Sequence, residues 1–240
     1  MQNDINVAIL ENYQGTIDGY IYRLNFVPNI KIAATCSFAE ELETVLDTSQ
    51  IDLVITGIDV SVSKDNRNPF PILNFVNRVT NQNPQLRLLV ISHFNQSQLI
   101  NSLFEAGVNG FILKEDQQSI QRLGKIVEII ARGGVFFSEG LRQDMCSKQS
   151  NTSLTKRQFE VISICAAYPD EDTFTLAKTI GISSSTFRNL LSKTYCKLGV
   201  RTGAAAIMKA RQLGIIPPLA YSEIYQEKEI DFEESQVEQI

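Results

Sequence analysis

A single histidine and four scattered cysteines leave this 240-residue chain little of the chemistry that metal sites and nucleophilic relays require. A lone His93 cannot assemble a metal site, and its place directly after Ser92 reads as a pocket or surface position. Cys36, Cys146, Cys165 and Cys196 show no paired-ligand spacing, so reduced thiols are expected, with Cys196 the one candidate for a redox switch. No run of about 18 apolar residues offers a membrane span. No basic-then-apolar leader indicates export, so a cytoplasmic protein without membrane contact is expected. There is no Gly-rich phosphate loop, no nucleophile–base pair and no cluster of metal ligands. The expectation is therefore no enzyme, no catalytic residue, no metal and no cofactor.

What the chain does have is an uneven distribution of charge. The net charge is −5. Residues 151–216 nevertheless carry nine Lys or Arg against four Asp or Glu. Residues 1–150 carry twelve against sixteen, and residues 217–240 one against seven. A basic segment inside an acidic chain is a stronger signal for a polyanionic partner than the overall balance.

Residues 5–137 alternate short apolar runs with amphipathic stretches. The runs are Asn6–Leu10, Ile30–Cys36, Asp52–Ile58, Leu86–Ser92 and Gly110–Lys114. Helical patterns lie near 15–27, 39–48, 71–82, 97–106 and 117–132. Five strands alternating with five helices predict an α/β domain, a doubly wound five-stranded parallel sheet of flavodoxin-like type. In such a sheet the cleft opens at the C-terminal strand ends. That places Glu11, Asn12, Gly57, Ser92 and Lys114 together.

Residues 154–216 read differently. Thr155 and Gln158 form a capping box, after which Leu154, Val161, Ile162 and Cys165 are expected to share one helical face. Asp172 or Thr173 caps a second helix with Leu176, Ala177 and Ile180 turned inward. A turn at Gly181-Ile182-Ser183 leads to a third, where Phe187, Leu191, Thr194 and Leu198 recur at helical spacing. Arg188, Asn189, Ser192, Lys193 and Cys196 then fall on the opposite side. Gly199 stops that helix, and a last one runs from about Thr202 to Leu213 before Pro217-Pro218. A short helix, a Gly-containing turn and a second helix with a polar, basic face is how side chains are placed in the major groove of DNA.

Three segments carry a specific resemblance: Leu154-Thr155-x-Arg157-x-x-Glu160-Val161, Ile182-Ser183-x-x-Thr186 and Lys197-Leu198-Gly199-Val200-Arg201. Together they resemble the C-terminal domain of LuxR/NarL-type response regulators, over nearly all of Leu154–Ile216. The resemblance implies binding of double-stranded DNA as a homodimer. The groove-facing and phosphate-facing set is Ser184, Ser185, Thr186, Arg188, Asn189, Ser192, Lys193 and Lys197. Two departures stand out. Gln158 replaces a frequent Glu, and Tyr168-Pro169-Asp170-Glu171-Asp172 replaces a short Gly-containing connection with acidic residues.

The N-terminal half resembles the receiver domain of the same regulators, with Ser92 and Lys114 at the positions of its phosphorylation-sensing hydroxyl and its lysine. The acidic pair after the first strand is reduced to Glu11-Asn12. The phospho-accepting Asp is replaced by Gly57, which has no side chain to attack with. Carboxylates also usually hold the Mg²⁺ that this chemistry needs. Asp59, extrapolated along a continuing strand, would lie about 6–7 Å further on, past the Lys114 pocket. The expectation is a pseudo-receiver in which Glu11, Asn12, Gly57, Ser92 and Lys114 are remnants, with a salt bridge between Lys114 and Glu11. The long polar loop Ser61–Phe70 borders this pocket and reads as a mobile surface loop or as a mouth for a small anionic ligand or protein.

The expected organisation is residues 1–137 receiver-like, 138–153 linker with a flexible joint at Ser147–Ser153, 154–216 helix-turn-helix, and 217–240 acidic tail. The tail reads as a solubilising end, or as a segment that competes with DNA for Arg188 and Lys193. The alternative to a DNA-binding transcription regulator is an interaction adaptor that uses the pseudo-receiver and tail, with little DNA binding.

Overall fold

Strand alternation decides which face of the sheet each side chain covers. The computed structural model describes residues 4–144 and 154–217. The strands β1 (Ile5–Leu10), β2 (Ile30–Cys36), β3 (Leu53–Thr56), β4 (Arg87–Ser92), β5 (Gly110–Leu113) and β6 (Phe136–Phe137) form one sheet in the order β2-β1-β3-β4-β5-β6. All pairings are parallel. In β1, Val7 and Ile9 belong to the core on one face, while Ala8 and Leu10 belong to the core on the other. Leu53 and Ile55 against Val54, and Leu89 and Ile91 against Leu88 and Val90, repeat the pattern.

Helices cover both faces. On one side lie α1 (Gln14–Leu24), α5 (Gln117–Gln121) and α6 (Leu123–Ala131). On the other lie α2 (Ala39–Thr48), α3 (Ile72–Gln82) and α4 (Ser97–Ala106). Each fully buried Leu, Ile or Phe contributes about 1.5–3 kcal/mol relative to exposure.

The structure corrects the expected strand and helix count. A sixth strand, β6, pairs with β5. The helical pattern of 117–132 breaks at Arg122, whose φ of −98° and ψ of 15° leave the helical region. The expected linker is not all linker, because α7 (Glu139–Asp144) is helical and its Leu141 is buried in the sheet-side core. Residues 145–153, including Cys146 and the expected joint at Ser147–Ser153, and residues 218–240 of the acidic tail lie outside the described residues.

The second unit contains α8 (Lys156–Ala167), α9 (Thr173–Thr179), α10 (Ser184–Leu198) and α11 (Gly203–Gln212). The first three starts carry caps that the sequence predicts, with Asp172 and not Thr173 capping α9. The Gln158 amide N–H donates to Thr155 Oγ1 at 3.3 Å and the Thr155 N–H to Gln158 Oε1 at 3.0 Å. The Thr175 N–H donates to Asp172 at 2.8 Å and the Thr186 N–H to Ser183 Oγ at 3.2 Å. Gly199 ends α10 in the left-handed region at φ 68°, where a side chain would be strained. Its core joins Val161 and Ile164 of α8, Leu176 and Ala177 of α9, and Phe187 of α10.

The single inward face expected for α8 is not what the structure contains. Val161 and Ile164 face α9 and α10, whereas Leu154, Phe159, Ile162, Ala166 and Ala167 join the sheet-side core through α3. The segment Phe159–Ile164 is buried without interruption, with Glu160 and Ser163 among its buried residues, because the helix packs against neighbours on two sides.

Candidate nucleic-acid interface and strand-end pocket

The exposed face of α10 is the first candidate site. Phe187, Thr194 and Leu198 are buried on its inner side, with Leu190 and Leu191 packed against the small core. The Thr194 hydroxyl donates back to the Leu190 carbonyl at 2.8 Å, which removes a polar group from that core. Ser185, Thr186, Arg188, Asn189, Ser192, Lys193, Cys196 and Lys197 are exposed and Ser184 is partly so. The first turn is tied locally, since Ser183 Oγ lies 2.9 Å from both Ser185 Oγ and Thr186 Oγ1. The α10 start therefore presents backbone N–H groups, hydroxyls, Arg188 and Asn189 on one side, with Lys193 and Lys197 further along. Such a surface can donate hydrogen bonds to phosphate oxygens and to base edges.

The acidic stretch before α9 stays at the periphery. Asp170, Glu171 and Asp172 are exposed, and Asp172 acts as the helix cap. The hydrogen bond from the Thr175 N–H holds the Asp172 carboxyl below its ordinary range. Burial pushes the Cys165 thiol up to about 12. Cys196 is exposed on the polar side of α10.

The second candidate lies where strand order reverses between β1 and β3. Leu10 pairs with Thr56, so the residues that follow, Glu11 and Gly57, emerge side by side. The Gly57 N–H donates to the Leu10 carbonyl at 3.0 Å, and the Lys114 N–H to the Ser92 carbonyl at 3.1 Å. These two contacts bring β1, β3, β4 and β5 ends to one cleft. The pocket is closed by its own residues. Lys114 Nζ lies 2.8 Å from Glu11 Oε2, with the two side chains 11% and 2% exposed, which is the expected salt bridge. Asn12 Nδ2 donates to the Asp59 carbonyl at 3.0 Å, and Ser92 Oγ accepts from the Phe94 N–H at 3.0 Å. Burial raises the Tyr20 hydroxyl pKa, and the nearby Glu11 and Asp59 carboxylates add to the shift.

Strand extrapolation misplaces Asp59. The chain bends after Thr56 instead of continuing extended. A Cβ built on Gly57 would lie 3.4 Å from Asp59 Oδ1 and 3.6 Å from Glu11 Oε2. Two carboxylates thus flank the position where Gly57 has no side chain. His93 stands outside the pocket, exposed, with Nδ1 2.5 Å from Glu115 Oε1. Among the described residues no group of three or more His, Cys, Asp or Glu could hold a metal. No described helix is long and apolar enough to cross a membrane.

The loop Ser61–Phe70 is anchored at both ends, exposes Lys64, Asp65 and Arg67, and lines the cleft beside α8 with Val62, Ser63, Asn66 and Phe70. A Ser61–Pro69 bridge closes it, and Val62, Pro69 and Phe70 are buried. Its Asn66 Nδ2 donates to the Ala167 carbonyl at the end of α8 at 2.8 Å. Sequence reasoning missed this contact, as it missed Asn74 and Asn77 of α3. Asn77 Nδ2 donates to Glu160 Oε1 at 2.7 Å, and Asn74 Nδ2 to the Glu160 carbonyl at 3.4 Å. Glu160 also pairs with Arg157 at 2.7 Å. Three asparagines at 66, 74 and 77 were the available signal, but nothing in the sequence names their partners.

Solved structures share this arrangement. The RcsB response regulator of Salmonella typhimurium superposes with a TM-score of 0.60 at 18% identity, covering 88% of this chain and 99% of that one. The chain has the fold of a LuxR/NarL-type response regulator. An RcsB–DNA complex matches with a TM-score of 0.53 at 18% identity over 86% of this chain and 98% of that one. No family model matches the chain. Among curated proteins, the transcriptional regulatory protein MctR of Rhizobium johnstonii is 26% identical over 216 residues, covering 88% of this chain and 95% of its own. LnrK of Bacillus subtilis, also a transcriptional regulatory protein, is 21% identical over 227 residues, covering 88% and 98%. Both curated relatives are named as transcriptional regulatory proteins.

Proposed function

We propose that this protein is a cytoplasmic, non-enzymatic transcriptional regulator that binds double-stranded DNA sequence-specifically as a homodimer, without control by aspartyl phosphorylation at position 57. The observation that carries the reading is the exposed polar and basic face of α10, with Arg188, Asn189, Ser192 and Lys193 on one side and Phe187 and Thr194 buried on the other. The MctR and LnrK relatives and the RcsB–DNA complex support it. A solved RcsB structure holds two dimers bound to two parallel DNAs, which supports the homodimer.

The experiment is selection of bound fragments from random DNA by the full chain, repeated with Arg188→Ala and Asn189→Ala. Each variant is expected to lose discrimination worth about 1–3 kcal/mol at the base it reads. Unchanged sequence preference in both would end this docking of α10. The phosphorylation-blind half of the reading has its own test. Incubation with a small phosphodonor is expected to add no stable mass. A gain that disappears in Asp59→Ala would show that the carboxylate beside Gly57 takes the acceptor's place.

A further inference from the structure

The receiver-type unit and the helix-turn-helix unit share one core. Phe159, Ile162, Ala166 and Ala167 of α8 join the buried cluster that also holds Leu73, Phe75 and Leu99, and Ile215 and Ile216 after α11 join it too. Around this apolar contact runs a polar one: Asn66 to the Ala167 carbonyl, and Asn74 and Asn77 to Glu160. Glu160 is buried, so separation of the units would leave its paired carboxylate to find new partners. Contact is also close at the far end. Gly214 has φ 63°, and a Cβ there would lie 2.4 Å from Cγ of Gln96, beside α4. Units joined by a large apolar interface do not follow the default of free relative motion. In the same docked arrangement the polar face of α10 is open to solvent.

We propose that DNA is bound with the two units still docked, the receiver-type unit acting as a fixed half of the DNA-binding body and not as a gate that must open. This rests on the DNA-binding reading above and adds to it how the interface is held. Two features fit together. The groove-facing side chains are already accessible, so docking does not hide them. At the strand-end pocket Gly57 offers no acceptor side chain, and Lys114 is held by Glu11. A surface that needs no opening carries no population penalty on its affinity. The cleft between the units, about 700 Å³, is lined by Glu40, Glu43, Glu160, Arg78, Arg157 and the Thr179–Gly181 turn, and none of the groove-facing side chains of α10 lies in it. Glu43 pairs with Arg78 and Glu160 with Arg157, which offsets two of these carboxylates.

The test locks the cleft shut. Asn81→Cys on α3 and Arg157→Cys on α8, both lining that cleft, are introduced into the full chain with Cys146→Ser and Cys196→Ser, and joined by a thiol cross-linker long enough to span it. Cys36 is buried with its thiol pushed up to about 11, and Cys165 is partly buried and pushed up to about 12, so both react slowly. Affinity for a selected DNA fragment is compared before and after linking, in the same variant, so that effects of the substitutions cancel. A change of less than about threefold supports docked binding. A larger fall overturns it, because a locked chain could not reach an open competent state. Calorimetry of the wild-type chain gives a reading that needs no DNA. One cooperative transition is expected, and two resolved transitions would overturn the shared core. If the wild-type chain selects no sequence from random DNA, the functional proposal fails, while calorimetry still decides the docking.

Discussion

The strand-end pocket and the exposed face of α10 use charge in opposite ways. In the pocket Lys114 is directed at Glu11, both nearly buried, and Asn12 and Ser92 bond to nearby backbone. On α10 Arg188, Asn189, Ser192 and Lys193 point to solvent, while the hydroxyl of Thr194 is absorbed into the helix. A charge that meets its partner within the fold serves stability. A set left exposed on a rigid helix is available to an outside partner.

The largest effect should come from unpairing the pocket. Lys114→Met leaves Glu11 buried without its cation, which should cost about 3–5 kcal/mol. Denaturant unfolding of the full chain would read this, and adding Glu11→Gln should recover part of it. Sequence preference on DNA should be unaffected, and a shift in preference would blur the division between the two regions. Next, Lys193→Ala should weaken binding to all fragments alike and lower the salt slope by about 1. A loss confined to one sequence would make Lys193 a base reader. Ser183→Ala removes the cap of α10 and should cost about 1 kcal/mol by thermal unfolding, with DNA affinity falling because the reading helix frays. No change in melting would mean that the turn is held by Ser185 and Thr186 alone.

The smallest effect is a pH dependence. The Asp172 carboxyl is held below its ordinary range by the Thr175 N–H. A depressed folded-state pKa stabilises above the unfolded value of about 3.9 and loses that contribution as pH falls through the folded one. Asp172→Asn should therefore lower stability slightly at neutral pH, converge with the wild type in acid, and so flatten the acid limb of the stability curve. An identical acid limb in the variant would remove Asp172 from that account.

The sheet was legible because five short apolar runs alternate with amphipathic stretches, whereas the faces covered by Val7 and Ile9 and by Ala8 and Leu10 came only from the structure. The caps at Thr155, Asp172 and Ser183, and the stop at Gly199, were legible because each uses a residue type with a single local job. β6 was not, since Phe136–Phe137 is too short to carry a period. The break at Arg122 has no proline to announce it, and the nearby Gly124 lies inside α6. Asp59 was misplaced because a strand was extended where the chain bends, and only the bend brings its carboxylate to Gly57. The double burial of α8 was written in Phe159-Glu160-Val161-Ile162-Ser163-Ile164, but reading one face hid the second. The partner of that second face, α3, lies some eighty residues earlier and has no local trace in the α8 sequence.

The two-sided burial of α8 bears on how this protein can be rebuilt or diversified. A helix that answers to neighbours on both flanks cannot be transplanted with only one of them. Grafting residues 154–217 onto a different receiver would strand Phe159, Ile162 and Ala166 in water unless the new host supplied an equivalent of Leu73 and the asparagines of α3. The exchange of parts that multidomain chains usually tolerate is therefore closed at this joint, and changes on either side of it have to arrive in pairs.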